Sequence, residues 1–210
     1  RSTCFDGLVE RAPEREGPKS ILPEEGINRI APDIKVNDIL KEVKSLPVPD
    51  DIQKNIKKHL NYTGSLIKQK DLNGPYYIYE ALSKVIDVSS TLYYNFGCIC
   101  FWLDKYDEAL SAFKKSLELS AGAGDEYKRD IYYNIGNTYY MLGKYYEAVK
   151  SYEIALKLFG DDIKVIENLS FAYVKIGEPD RGIELLKSTP VTYDTYRAHF
   201  IAGKLLSEAG

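Results

Sequence analysis

The chain has 210 residues, of which 44% are hydrophobic and 28% charged, and its formal net charge is −3. A chain of this length can bury a sizeable core in one or two domains. The weak negative charge does not favour a nucleic-acid surface, which usually needs a clustered basic face. No apolar run approaches the roughly 20 residues that cross a bilayer.

The first 49 residues differ in composition from the rest of the chain. Six of the nine prolines fall here, and residues 11–19 mix charge with Pro and Gly. Such a segment buries little apolar surface, so we expect residues 1–49 to form an extended or disordered tether. Apolar positions between residues 34 and 43 also allow one short amphipathic helix. The alternative is therefore a docking segment that folds on a partner or lies along the protein's own groove.

The sequence begins at Arg1 rather than at a methionine. A removed N-terminal signal or membrane anchor therefore stays open as an expectation. The cellular location stays open with it, between the cytoplasm and tethering at a membrane.

An internal repeat begins after the proline-rich part. Residues 92–97 (LYYNFG), 131–136 (IYYNIG) and 165–170 (VIENLS) align on their last, small residue. A second small residue follows twelve positions later in each copy, and a large apolar one four positions after that. These pairs are Ala109 and Phe113, Ala148 and Tyr152, and Gly182 and Leu186. The first two copies are spaced more widely than the last two, and the surplus falls in the Gly-rich residues 121–125.

This pattern closely resembles the tetratricopeptide repeat, a helix–turn–helix unit of about 34 residues. The resemblance implies an all-α fold, a right-handed α-solenoid of stacked helix pairs with a C-terminal capping helix. We assign residues 50–210 to this repeat domain. Its parts are a degenerate unit at 57–89, clear units at 90–123, 129–162 and 163–190, and a terminal helix at 192–208. In the degenerate unit, Gly64 and Ala81 are the candidates for the two small positions.

The small residues have a physical role in such a unit. Gly97 and Gly136 should let the two helices of a pair approach closely near Ala109 and Ala148, where larger residues would overpack the contact. Phe113 and Tyr152 should fill the space between adjacent units. Gly143 and Gly177 fit the tight turns between paired helices.

The resemblance implies that the first helix of each unit lines a concave groove that binds an extended peptide or a partner helix. Thr91 is one of the groove-facing positions. The candidate partner-binding residues at these positions are Tyr94, Asn95, Phe101, Trp102, Tyr133, Asn134, Asn137, Tyr140, Lys164, Asn168 and Phe171. The recurring Asn side chains could hold both groups of a peptide bond, or they could cap or bridge neighbouring helices. The aromatic side chains could anchor a partner, or they could pack between units.

Some members of the family hold a partner's C-terminal carboxylate with lysines, an arginine and asparagines. In one register Asn134 and Lys164 fit, with Tyr94, Cys98 and Asn168 in the other places. One unit later Asn137, Asn168 and Arg197 fit, but Tyr133 and Ile201 do not, so that clamp is incomplete in both. A mixed, aromatic groove favours a partner segment with apolar anchors instead. We therefore expect a scaffold or adaptor that binds a protein or peptide partner, and not nucleic acid.

Two other functions compete with this one. A self-associating structural protein, in which the groove of one copy accepts another copy, is the alternative. An enzyme is not expected, since we find no phosphate loop, nucleotide fingerprint or metal-ligand spacing. No metal or cofactor is expected, and Cys98 and Cys100 are interpreted as free thiols that pack as small apolar residues.

Overall fold

A computed structural model describes residues 39, 41–42, 44, 49–69, 71–160, 162–188, 203 and 207. Between Asp50 and Ser188 the described residues form eight helices, a few described residues outside this range are also helical, and none of the described residues forms a strand. The eight helices are α1 (Asp50–Lys68), α2 (Asn73–Ser83), α3 (Ser90–Trp102), α4 (Tyr106–Leu119), α5 (Asp125–Met141), α6 (Tyr145–Phe159), α7 (Ile163–Lys175) and α8 (Pro179–Ser188). The predicted all-α repeat fold is confirmed. Most of the tether at 1–49 and of the terminal helix at 192–208 lies outside the described residues.

The helices form two units that divide between residues 122 and 123. The first unit contains α1–α4 and the second contains α5–α8. Within each unit every helix packs on the next one in the chain, and in the second unit α5 also touches α7. The division falls inside the Gly-rich connection at 121–125, where the repeat spacing placed its surplus residues.

The turns between paired helices need a left-handed backbone. Gly143 and Gly177 have φ values of 71° and 80°, as expected for glycines in tight turns. Asp104 occupies the place of Gly143 one repeat earlier, and its φ of 58° is also left-handed. Aspartate tolerates this conformation better than most side chains. The predicted turn glycines are therefore confirmed.

The predicted close approach of paired helices occurs at both glycines. A Cβ atom on Gly97 would lie 2.7 Å from the Phe113 ring, and one on Gly136 would lie 2.5 Å from the Tyr152 ring. The glycines therefore make room for the aromatic ring rather than for the alanine four residues before it. The third clear pair reverses the arrangement, because a Cβ on Gly182 would lie 2.8 Å from the carbonyl oxygen of Ser170.

The degenerate pair, α1 and α2, keeps the repeat register with different residues in the small places. Thr63, Pro75 and Tyr79 stand one repeat period before Gly97, Ala109 and Phe113, and all three are buried. The assignment of Gly64 and Ala81 to the small places is wrong, since a Cβ on Gly64 would meet nothing within 4 Å and Ala81 is exposed. The buried Thr63 hydroxyl donates to the Leu60 carbonyl at 2.6 Å, so its polar group is satisfied.

Candidate functional site

The first helices α3, α5 and α7 carry all the candidate partner-binding residues. Nine of the eleven are buried: Tyr94, Asn95, Phe101, Tyr133, Asn134, Asn137, Tyr140, Asn168 and Phe171. Trp102 is partly exposed and Lys164 is exposed. The structure therefore separates the candidates into a large buried group and a small accessible one.

The buried aromatics form two ring pairs in each of the first two clear hairpins. Tyr94 packs edge-on against Phe113 with centroids 6.0 Å apart, and Phe101 packs against Tyr106 at 5.4 Å. The same two pairs recur one repeat later, as Tyr133 with Tyr152 at 6.0 Å and Tyr140 with Tyr145 at 5.1 Å. Such ring pairs stabilise a fold by more than their buried area alone would. In these hairpins the rings therefore bind the first helix to the second.

The amides of α5 and α7 form a buried network with tyrosine hydroxyls. The Asn168 amide donates to the Tyr133 hydroxyl at 3.1 Å and to Asn137 Oδ1 at 2.8 Å. Tyr152 donates its hydroxyl to the same Asn137 oxygen at 2.7 Å. Three helices of the second unit are thereby joined by hydrogen bonds that exclude water.

Asn95 and Asn134 make different hydrogen bonds from those of Asn168. Asn95 donates a long hydrogen bond of 3.5 Å to the Tyr79 hydroxyl, and its Oδ1 has no hydrogen-bond partner among the described residues. Asn134 donates to the Asp130 carbonyl within its own helix at 2.9 Å. Phe113 stands in the repeat position of Tyr79 and Tyr152, and it has no hydroxyl to offer.

These contacts favour the bridging interpretation for Asn95 and Asn168 over contact with a peptide. Each has a relative exposed area of 0%, so neither amide faces solvent in this conformation. The aromatic candidates, apart from Trp102, are likewise packed inside the protein rather than exposed to solvent. Partner contact by the buried group stays a prediction, and it would require a rearrangement of the hairpins.

The two accessible candidates, Trp102 and Lys164, have side chains of different chemistry. Trp102 ends α3, and its ring lies edge-on to Phe101 at 6.4 Å. Lys164 lies in the first turn of α7, and the exposed Lys175 ends the same helix. An indole offers a large apolar contact with a polar N–H, and the lysines offer positive charge. The accessible candidates are thus a partly exposed indole on the first unit and an exposed lysine on the second, with a further exposed lysine at the end of the same helix.

A charged cluster fixes the start of α7 against α5. Arg129 pairs with Asp162 at 2.9 Å and with Asp130 at 2.6 Å. Asp162 is also the N-cap of α7 and accepts the Lys164 amide at 2.9 Å. Burial raises the pKa of Asp130, an effect that the neighbouring Arg129 opposes. The cluster orients the helix end that presents Lys164.

One contact at a groove position was not foreseen from the repeat pattern. The Glu42 carboxylate accepts a hydrogen bond from the Thr91 hydroxyl at 2.7 Å and a longer one from its backbone N–H at 3.4 Å. Thr91 is the second residue of α3 and is buried. The only sequence signal for this contact was the amphipathic spacing around residues 34–43.

The described part of the chain also bears on metal binding, membrane crossing and thiol reactivity. It holds no group of three or more His, Cys, Asp or Glu residues placed to bind a metal ion. None of its helices combines the length and the apolar character that crossing a membrane requires. Burial raises the pKa of the Cys100 thiol to about 12, which keeps this side chain protonated and unreactive near neutral pH.

Repeated helix hairpins, packed through a glycine against the facing helix, define a helical repeat protein. Residues 88–161 match the tetratricopeptide repeat family. This region, residues 88–161, therefore consists of tetratricopeptide repeats. A comparison with curated protein sequences gave no match.

Solved structures with the same fold cover most of the chain. The crystal structure of MamA is 19% identical and aligns over 82% of this chain and 89% of its own, with a TM-score of 0.58. TTC0263 of Thermus thermophilus is 16% identical over 74% of this chain and 83% of its own, with a TM-score of 0.55. YrrB, a TPR protein with an unusual peptide-binding site, is 23% identical over 63% and 66%, with a TM-score of 0.51. At these identities the likeness concerns the fold.

Proposed function

We propose that the chain is a non-catalytic adaptor that binds a protein segment on the first-helix faces of its repeats. Tetratricopeptide repeats form a protein-interaction scaffold, and stacked repeats use their extended faces for binding. The observation that carries the proposal is the accessibility of Trp102 and Lys164 while their neighbours at groove positions are packed. Peptide binding by YrrB, a protein of the same fold, is consistent with it.

The chemistry of these two residues describes the partner. Trp102 would bury an apolar side chain of the partner, since Trp is among the strongest anchors at protein interfaces. Lys164 and Lys175 would attract acidic groups of the partner and steer association. A partner segment at the first unit is therefore expected to carry an apolar anchor, and a partner segment at the second unit to carry acidic residues.

The test is capture of partners from the native cell extract by the full chain and by charge-reversed variants. Lys164→Glu should lose the partner, whereas Lys150→Glu, an exposed lysine on the second helix α6, should retain it. Equal retention by both variants would contradict the proposed face. If the only protein captured is the chain itself, the self-association alternative is supported instead.

A further inference from the structure

The first turn of α3 holds a carboxylate supplied from far earlier in the chain. Ser89 caps this helix by accepting the Leu92 amide at 3.0 Å, and Thr91 directs its own hydroxyl and N–H to Glu42. Negative charge is favourable at a helix N-terminus, where backbone N–H groups lack helical partners. The Glu42 carboxylate is thus bound as a helix-end ligand, by a side chain at a groove position.

A second buried residue accompanies the carboxylate. Ile39 lies three residues before Glu42, both are helical, and Ile39 has a relative exposed area of 0%. Positions three apart share one face of a helix. Lys41 and Lys44, in the same stretch, are exposed. An apolar anchor and a carboxylate therefore point inward together, while the lysines point to solvent.

We infer that the stretch around Ile39 and Glu42 is a built-in occupant of the partner-binding face of α3. It occupies in cis the place at Thr91 that an external partner would use, so it acts as an autoinhibitory segment. The inference rests on the proposed function for its consequence, because displacement matters only if a partner binds there. The partner that displaces it would itself present an aliphatic side chain and, three residues later on a helix, a carboxylate.

The probe for this inference is a fluorescent peptide of residues 34–48, titrated into the full chain and followed by anisotropy. The wild-type chain should bind it weakly, because its own segment occupies the site. A full chain carrying Ile39→Ser and Glu42→Gln should bind it at least tenfold more tightly. A peptide carrying the Glu42→Gln change should bind that variant chain about tenfold more weakly than the unchanged peptide does. Full chain with Lys41→Ala and Lys44→Ala is the matched control and should behave as the wild type.

Hydrogen exchange supplies a readout that needs neither peptide nor partner. In the nearly isosteric Glu42→Gln chain, the amide of Thr91 should exchange at least several-fold faster than in the wild type, while amides of α7 are unchanged. Unchanged exchange at Thr91, or equal peptide binding by wild-type and variant chains, would overturn the inference. A wild-type chain that dimerises through this segment would also overturn it, since the occupant would then come from another copy. Loss of partner capture by Lys164→Glu is independent of these outcomes, so the two proposals can fail separately.

Discussion

Tyr152 and Asn168 donate hydrogen bonds to the same atom, Asn137 Oδ1, at 2.7 and 2.8 Å. Tyr152 lies on α6, Asn168 on α7 and Asn137 on α5. One amide oxygen thus joins the two helices of a repeat to the first helix of the next. Because the three groups are buried, the loss of any one leaves a polar atom without water to replace its partner.

The first prediction concerns this network. Asn168→Ala removes the donor to both Tyr133 and Asn137, so it should lower the free energy of unfolding by about 1–3 kcal/mol. Asn134→Ala is the matched control, because its amide donates to a carbonyl of its own helix, and it should cost less. Urea unfolding of both variants measures the difference. Equal losses would show that the shared acceptor does not hold the unit together.

The second prediction concerns the glycine beneath Tyr152. Gly136→Ala places a Cβ 2.5 Å from the ring, so the helices must separate or the ring must move. Overpacking of this kind typically costs about 1–3 kcal/mol. In Gly122→Ala the new Cβ meets nothing within 4 Å, and stability should change little. Thermal unfolding compares the two, and a Gly136→Ala chain as stable as Gly122→Ala would contradict the packing described.

The positions of the helices could be predicted because the same residue pattern recurs in each repeat. Gly97, Ala109 and Phe113 recur with their counterparts at fixed spacing, and the structure places a helix pair on each copy. The small positions of the degenerate helix pair were harder to predict. Its small place holds Thr63, whose hydroxyl is satisfied by its own helix, and the neighbouring Gly64 matches the repeat pattern better than Thr63 does.

The direction of the asparagine side chains could not be predicted from the repeat alone. An Asn on a first helix can face a groove or a neighbouring helix, and the spacing is the same in both cases. The deciding residue lies sixteen positions earlier, where Tyr79 and Tyr152 precede Asn95 and Asn168 but Phe113 lies in the corresponding repeat place before Asn134. The Tyr79 hydroxyl accepts from the Asn95 amide, and the Tyr152 hydroxyl donates to the Asn137 oxygen that also accepts from the Asn168 amide. A tyrosine at this place is therefore the sequence signal that accompanies a buried, bridging amide.

The third prediction concerns alkaline pH. Burial and then the hydrogen bond to Glu153 raise the pKa of Tyr173 from 10.0 to about 12, and burial raises the pKa of Tyr133 and Tyr152 well above the usual range. Above pH 10 the unfolded chain loses tyrosine protons that the folded chain keeps. The stabilisation is fully present below pH 10, so the free energy of unfolding should fall as the pH rises from there through about 12.

Urea unfolding at neutral pH and at steps above pH 10 measures this loss. Tyr173→Phe removes one of the titrating groups, so its stability should fall less steeply with pH than that of the wild type. Tyr146→Phe is the control, since Tyr146 is 63% exposed and its replacement should leave the slope unchanged. A wild-type stability that rises above pH 10 would contradict the assignment of these tyrosines as buried and protonated.

Contact between the first-helix faces and a protein partner can be tested directly by site-specific photo-crosslinking. A photoreactive benzoylphenylalanine is placed at Trp102, and a second protein carries it at Tyr146 on the second helix α6. We expect the Trp102 position to yield a covalent adduct with another protein in the native extract, and the Tyr146 position to yield none. Adducts at Tyr146 with none at Trp102 would contradict binding on the first-helix faces.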